Sequence, residues 1–399
     1  MSRSLSYLLA ASLIALPAPP ALAQDAPAAD TSSLLKDLQQ RVLKLEGAPA
    51  KSSLNAFNPA IGMALDAAFR DSNDKAAFQF RAAELGLSAP VDPYLKAWVF
   101  ITGSNGGVGV EEAVLETTAL PHNLTARGGR LFASFGRLAH VHDHELPVVE
   151  RPLSLDSSIG GETQADGLEV SWLAPTDLYL DATFGVYNKM GAENDRQDNL
   201  GARTLDEFTY LGRLNTYLDL TDTQNVELGV DAAWTPKRSV TEDIAVTGSA
   251  NALTTRRNTW RTLSGLDFTY RHQPSGGGLY KGLVWGTEVM QNTERRFGPA
   301  SRLPTDRVRA YSGYSYVELK TNRGWRGGLM ADLTEDQDDP HRLTKTLTAF
   351  LTYDVTEFQR LRLTYAEGLV NVPGAVKNHT VAFQWTGLIG KHVHGFRDR

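Results

Sequence analysis

Cysteine is missing altogether from the 399 residues, so neither a disulfide framework nor a thiolate metal site holds this fold together. Long apolar runs are missing as well. Beyond the N-terminus no stretch reaches the roughly 18 to 20 consecutive apolar residues that a membrane helix needs. An excess of positive charge is absent: 40 Lys and Arg stand against 46 Asp and Glu, which argues against nucleic acid as a partner. Local catalytic motifs are absent too. There is no Gly-x-Ser-x-Gly elbow and no Gly-x-x-x-x-Gly-Lys-Ser/Thr loop, and His144-Glu145 lacks the second His of a zinc-protease helix. An enzyme is therefore not expected, although Ser, His and Asp brought together from distant segments would need no local motif.

What is present begins with Arg3, an apolar core over residues 7–16 (YLLAASLIAL) and Ala21-Leu22-Ala23 before Gln24. This is the pattern of a secretory signal peptide over 1–23. An exported chain without a membrane helix is either soluble or a closed barrel in the outer membrane. Residues 24–32 read as a disordered linker. Over 33–47, Leu35, Leu38, Val42 and Leu45 recur at heptad a and d spacing before Gly47 and Pro49, which predicts a short amphipathic helix. It is either a self-association helix, with a homotrimer in view, or a solitary one.

After Asn55 the apolar period changes to two. Leu178, Leu180, Ala182, Phe184 and Val186 alternate with Tyr179, Asp181, Thr183, Gly185 and Tyr187, and Leu361, Leu363 and Tyr365 alternate with Arg360, Arg362 and Thr364. Such segments number about sixteen, an even count, as antiparallel barrels require. Short joins (89–93, 120–122, 174–177, 220–222, 321–323, 354–357) alternate with long ones at 135–164, 189–205, 237–256 and 294–306. Aromatic residues stand near segment ends, among them Tyr94, Trp98, Trp172, Tyr187, Trp234, Trp325 and Trp385, as interfacial girdles do. A soluble β-sandwich would alternate as well, but would not keep long loops to one side. The expected fold is all-β: a transmembrane antiparallel β-barrel of about sixteen strands over 56–396, in a bacterial outer membrane among lipid and lipopolysaccharide.

The residues Phe57-Asn58-Pro59-Ala60-Ile61, the stretch 91–136 with Glu111 and Glu112, the WLAPTDL core of 168–178, and the ending Ile389-Gly390-Lys391-His392-Val393-His394-Gly395-Phe396 resemble the proteobacterial zinc-regulated TonB-dependent outer-membrane receptors. That family is itself similar in layout to the phosphate-selective porins. The resemblance implies uptake across the outer membrane with zinc in view. The segment before Asn55 is too short for the plug that fills roughly 22-stranded TonB-dependent transporters, so a channel without a plug is expected.

The densest cluster of metal-binding side chains is His140-Val141-His142-Asp143-His144-Glu145, in the longest join, the third on the loop side. In an extended segment alternate residues project together, so His140, His142 and His144, with Asp143, are candidate ligands for zinc. His392 and His394 form a second candidate pair. The alternative for both is polar side chains bonded to neighbouring acids and water. Acidic loops at 193–198 and 335–339 are solvated loops or seats for hard divalent ions. Arg127, Arg130, Arg213, Arg261, Arg326, Arg360 and Arg362 are placed on the lumen face, which would favour anions. Asp181, Asp231, Asp267 and Asp332 share it, which would give a transverse field instead. The function expected is a porin-like channel for small hydrophilic solutes, with divalent metal (Zn2+) as specific cargo. An anion or phosphate pore and a non-conducting surface barrel, enzyme or adhesin, are the alternatives.

Overall fold

The structure is a computed structural model that describes residues 59–73, 75–191, 204–244, 252–274, 281–297, 304–321, 324–337 and 339–390. The expected signal peptide, linker and helix lie outside the described residues, as do His392, His394 and the acidic loop 193–198.

Sixteen strands follow one another in chain order. They are β1 (Ala60–Ser72), β2 (Lys75–Pro90), β3 (Leu95–Ser104), β4 (Gly107–Thr117), β5 (Leu124–Phe132), β6 (Gln164–Leu173), β7 (Tyr179–Tyr187) and β8 (Thr209–Thr221). The second half runs β9 (Gln224–Ile244), β10 (Ala252–His272), β11 (Gly282–Phe297), β12 (Pro304–Lys320), β13 (Trp325–Glu335), β14 (Leu343–Thr356), β15 (Gln359–Val370) and β16 (Asn378–Gly390). Each pairs antiparallel with the next, and β1 closes on β16 in register from Gly62↔Gly390 to Ser72↔Thr380. Among the described residues no helix is long and apolar enough to cross a membrane.

The two faces are inverted relative to a water-soluble sandwich. On β15 Arg360, Arg362 and Thr364 are buried, Arg362 to 1 % exposure, while Leu363 and Tyr365 are exposed, Leu363 to 46 %. The same parity on β16 buries Gln384 and Thr386 and exposes Phe383 and Trp385. A surface of Leu, Val and Phe at this density is stable against hydrocarbon, not water. Exposed aromatics sit at both ends of this belt: Tyr94, Trp172, Trp285, Trp325 and Trp385 toward the short turns, Phe184, Trp234, Tyr311 and Tyr365 toward the other end. Trp325 stacks on Tyr353 at 4.4 Å between ring centroids. Two of the expected girdle residues face inward instead. Tyr187 is fully buried on Glu169, and Trp98 donates its Nε1–H to Glu112 at 3.2 Å.

Two of the long joins expected from the sequence are largely strand. β9 and β10 continue into 237–256, pairing as far as Ala252↔Ile244, and β11 and β12 continue into 294–306 as far as Phe297↔Pro304. Their polar residues suggested loop, but the pairing of backbone N–H and C=O groups does not depend on apolar side chains. The loop-side joins are thus unequal: 73–74 and 105–106 are tight turns, while 133–163 and 188–208 are long.

A segment inside the barrel and its histidine septum

The chain leaves β5 at Phe132, returns to β6 at Gln164, and folds into the lumen in between. Apolar side chains every few residues drive this. Phe135, Leu138, Val141, Leu146, Val148, Leu155 and Ile159 are all buried, in one core with Leu211, Leu263, Val284, Met290, Met330 and Phe350 of the wall from β8 to β14. Polar anchors fix the register. Gly136 turns at φ 64°, where a Cβ would collide with the Glu288 carboxylate. The next residue, Arg137, donates its backbone N–H to Glu288 at 3.1 Å and its guanidinium to Tyr316 Oη at 2.8 Å. A short helix α1 (Leu153–Ile159) ends on left-handed Gly160. Its Ser154 donates backbone N–H (3.0 Å) and Oγ–H (2.5 Å) to Asp332, and Ser158 bonds Ser312 at 2.6 Å. Arg261 donates to the Ser158 carbonyl, and Arg362 to that of Val148 at 3.3 Å. The segment thus lies inside the barrel, against the inner face of its wall.

Against the opposite wall, β1 to β6, it leaves two cavities. One, of about 710 Å³, opens toward the loops and is lined by Asp66, Arg81, Glu84, Glu111, Asp143, His144, Glu150, Arg151, Asp156 and Glu162, with Lys189 at its rim. The other, of about 370 Å³, lies toward the short turns and is lined by Glu112, Glu116, Arg127, His140 and His142. Between them stands the His142 ring, packed on Phe100 and Phe132 at 5.1 and 4.8 Å between centroids.

His142 is enclosed by three carboxylates. Its Nδ1 is 3.2 Å from Glu84 Oε2 and 3.2 Å from Glu111 Oε1, and its Nε2 is 3.7 Å from Glu112 Oε2. Burial by itself would favour the neutral ring, but the surrounding carboxylates of Glu111, Glu112 and Glu84 outweigh it and hold the imidazole well above its ordinary pKa. Thr102 bonds Glu111, and the Phe132 backbone N–H donates to Glu112 at 3.2 Å. Adjacent residues of a regular strand cannot both face the lumen. Here a bulge pairs Phe100 with Glu112 and Ile101 with Val110, leaving Glu111 unmatched, so both carboxylates turn inward.

Of the predicted ligands, His142 and His144 come together, with ring centroids 5.7 Å apart and His144 Nδ1 3.7 Å from Glu84 Oε2. His140 and Asp143 do not join them. Asp143–Glu145 is a 3-10 turn, which breaks the extended alternation. His140 faces the short-turn cavity with Nδ1 3.4 Å from the Phe135 carbonyl, and Asp143 is held by Arg151 at 2.8 Å and Arg81 at 3.3 Å. Glu84 and Glu111 were not foreseen as ligands.

Most of the predicted lumen-facing arginines meet a carboxylate or the inner segment. Arg127 bonds Glu169 at 2.7 Å, Arg213 joins Asp231 (2.7 Å) and Asp267 (2.8 Å), and Arg326 and Arg360 share Asp354 at 2.7 and 2.6 Å. Asp181 accepts from Thr183 at 3.0 Å. Arg261, Arg362 and Asp332 anchor the inner segment, as above. Arg130 is a correction. Three residues from inward Arg127 in a strand of period two, it faces outward and pairs with Asp166 across β6 at 2.7 Å.

No family model matches the chain. An uncharacterised protein of Aquifex aeolicus (strain VF5) is 27% identical over 345 residues, covering 80% of this chain and 70% of that protein. Among solved structures the chain is similar to OprB of Pseudomonas putida (TM-score 0.59, 9% identity, 87% of this chain and 97% of that one). It is also similar to the outer-membrane channel DcaP of Acinetobacter baumannii (0.54, 11%, 83% and 96%) and to a trimer form of OmpT of Vibrio cholerae (0.53, 10%, 83% and 99%). These likenesses establish the fold as a porin-type barrel. None of these proteins is described as a zinc-regulated or TonB-dependent receptor.

Proposed function

We infer that the chain is an outer-membrane channel through which small hydrophilic solutes, cations before anions, pass between the inner segment and the wall from β1 to β6. The observation that carries this is the lining of the larger cavity: seven acidic side chains (Asp66, Glu84, Glu111, Asp143, Glu150, Asp156, Glu162), of which Glu162 is pushed up to about 8 and Asp156 to about 6, against the three fixed cations Arg81, Arg151 and Lys189. A net acidic lining concentrates cations and repels anions. The arginines that would favour a phosphate pore are paired with Asp or Glu or bonded to the inner segment. The lumen that a plug fills in energy-coupled transporters is filled here by 133–163, which supports passive passage over TonB coupling. DcaP, described as a channel, has the same fold.

The test is planar-bilayer recording of the refolded protein under a KCl gradient. Stepwise conductance with a reversal potential on the potassium side is expected; a reversal on the chloride side would sink cation preference. A second reading, a closed barrel, is favoured by the apolar core joining the inner segment to the wall, and it predicts no conductance steps.

A further inference from the structure

We propose that Glu84, Glu111 and His142 form a binding site for a divalent first-row transition metal, zinc first, in the septum between the two cavities. This deepens the channel reading, and rests on it for any part in transport. One ligand atom from each lies within 4.8 Å of the others, and the three come from β2, β4 and the inner segment, far apart in sequence. Convergence of separate segments on one point is how protein metal sites are built.

The donor set discriminates among ions. Magnesium and calcium take oxygen ligands almost throughout, whereas an imidazole with carboxylates suits zinc and its neighbours. His144, with Nδ1 3.7 Å from the same Glu84 oxygen, stands by as a second imidazole. The far side of His142 matches too. With Nδ1 directed at Glu84 and Glu111, Nε2 is directed at Glu112, 3.7 Å away. A carboxylate behind a ligating histidine fixes its tautomer and raises its basicity. Glu112 is itself held by the Trp98 Nε1–H and the Phe132 backbone N–H, each at 3.2 Å.

Charge gives a further reason. Three carboxylates around one imidazole leave an excess of negative charge in a buried position, where a divalent cation offsets it best. Access is from the larger cavity, which Glu84, Glu111 and His144 all line. An ion held here lies where the two cavities meet, on the path of any solute passing along this wall.

The test uses the full chain folded in detergent, with Zn2+ alone in titration calorimetry and Co2+ as a spectroscopic probe of nitrogen ligation. Saturable binding of one ion per chain is expected, with a Co2+ visible spectrum that His142→Ala abolishes. Glu111→Gln and Glu84→Gln should weaken Zn2+ by at least about tenfold, and Glu112→Gln by about 10- to 100-fold, the range for a lost outer carboxylate. His140→Ala should leave affinity unchanged. Absence of saturable Zn2+ or Co2+ binding by the wild-type chain overturns the site without reference to any variant. So does Ca2+ binding as tight as Zn2+, or a Co2+ spectrum indifferent to His142→Ala in a variant that still folds. The channel reading fails separately: a barrel that binds Zn2+ and does not conduct keeps the site and loses the channel, and one that conducts without binding does the reverse.

Discussion

At the scale of the residue, Asp156 shows how the inner segment makes the cavity responsive to pH. Partial desolvation pushes its carboxyl up to about 6, opposed by Arg151 and supported by repulsion from Asp143, Glu150 and Asp332. A carboxyl whose folded pKa is raised contributes stability that is complete below its ordinary value of 3.8 and lost as pH rises through about 6. This carboxyl thus favours the seated segment in acid, while the cavity becomes more negative as pH rises. Cation preference should grow as pH passes about 6, and Asp156→Asn should flatten that step; reversal potentials at a series of pH values measure both. A step that persists unchanged in Asp156→Asn would remove this residue from the account. The site was half legible in the sequence for the same local reasons. Three histidines within 140–144 pointed to the right segment, but an extended conformation was assumed for it, and the 3-10 turn at Asp143–Glu145 turns His140 away. Glu84 was hidden in an ordinary strand, and Glu111 by strand parity, which the bulge at Glu111 itself overrides. Adjacent acids in a strand with lipid on one side were the available signal, since only a bulge or a pairing lets both avoid hydrocarbon.

At the scale of the element, the segment 133–163 is a part added to a barrel that closes without it. The strands hold one another through continuous registers from β1 to β16, and none of these ladders passes through the segment. Replacing 138–160 with a short Gly/Ser linker should therefore leave an assembled barrel, read as retained strand signal in circular dichroism, and raise unit conductance several-fold. Unchanged conductance would mean that the segment does not bound the path. Strand number and phase were legible because burial repeats every second residue, and β15 and β16 follow that parity almost without exception. Strand ends were less so. In β9 to β12 the alternation fades toward the loop-side ends, and backbone pairing, which leaves no mark on composition, carries the sheet onward.

At the scale of the whole barrel, the wall is not of even height. β1 and β2 pair up to Ser72↔Lys75, but the β2–β3 register begins only at Ala83↔Gly103, so the far half of β2 has β1 alone beside it. Beside this step Phe78 is 89 % and Val108 80 % exposed. An open strand edge is not tolerated in hydrocarbon, where its amides find no partner, and an apolar surface above the membrane is not favoured by water. Another copy of the chain meets both demands. We therefore expect self-association through β1 to β4, visible as a multiple of the chain mass by light scattering in detergent. Phe78→Lys should shift it toward single chains while leaving the inward face, and hence ion selectivity, as it was. A wild-type chain that stays monomeric at every concentration would place the step in water instead, with the β2 edge satisfied by solvent.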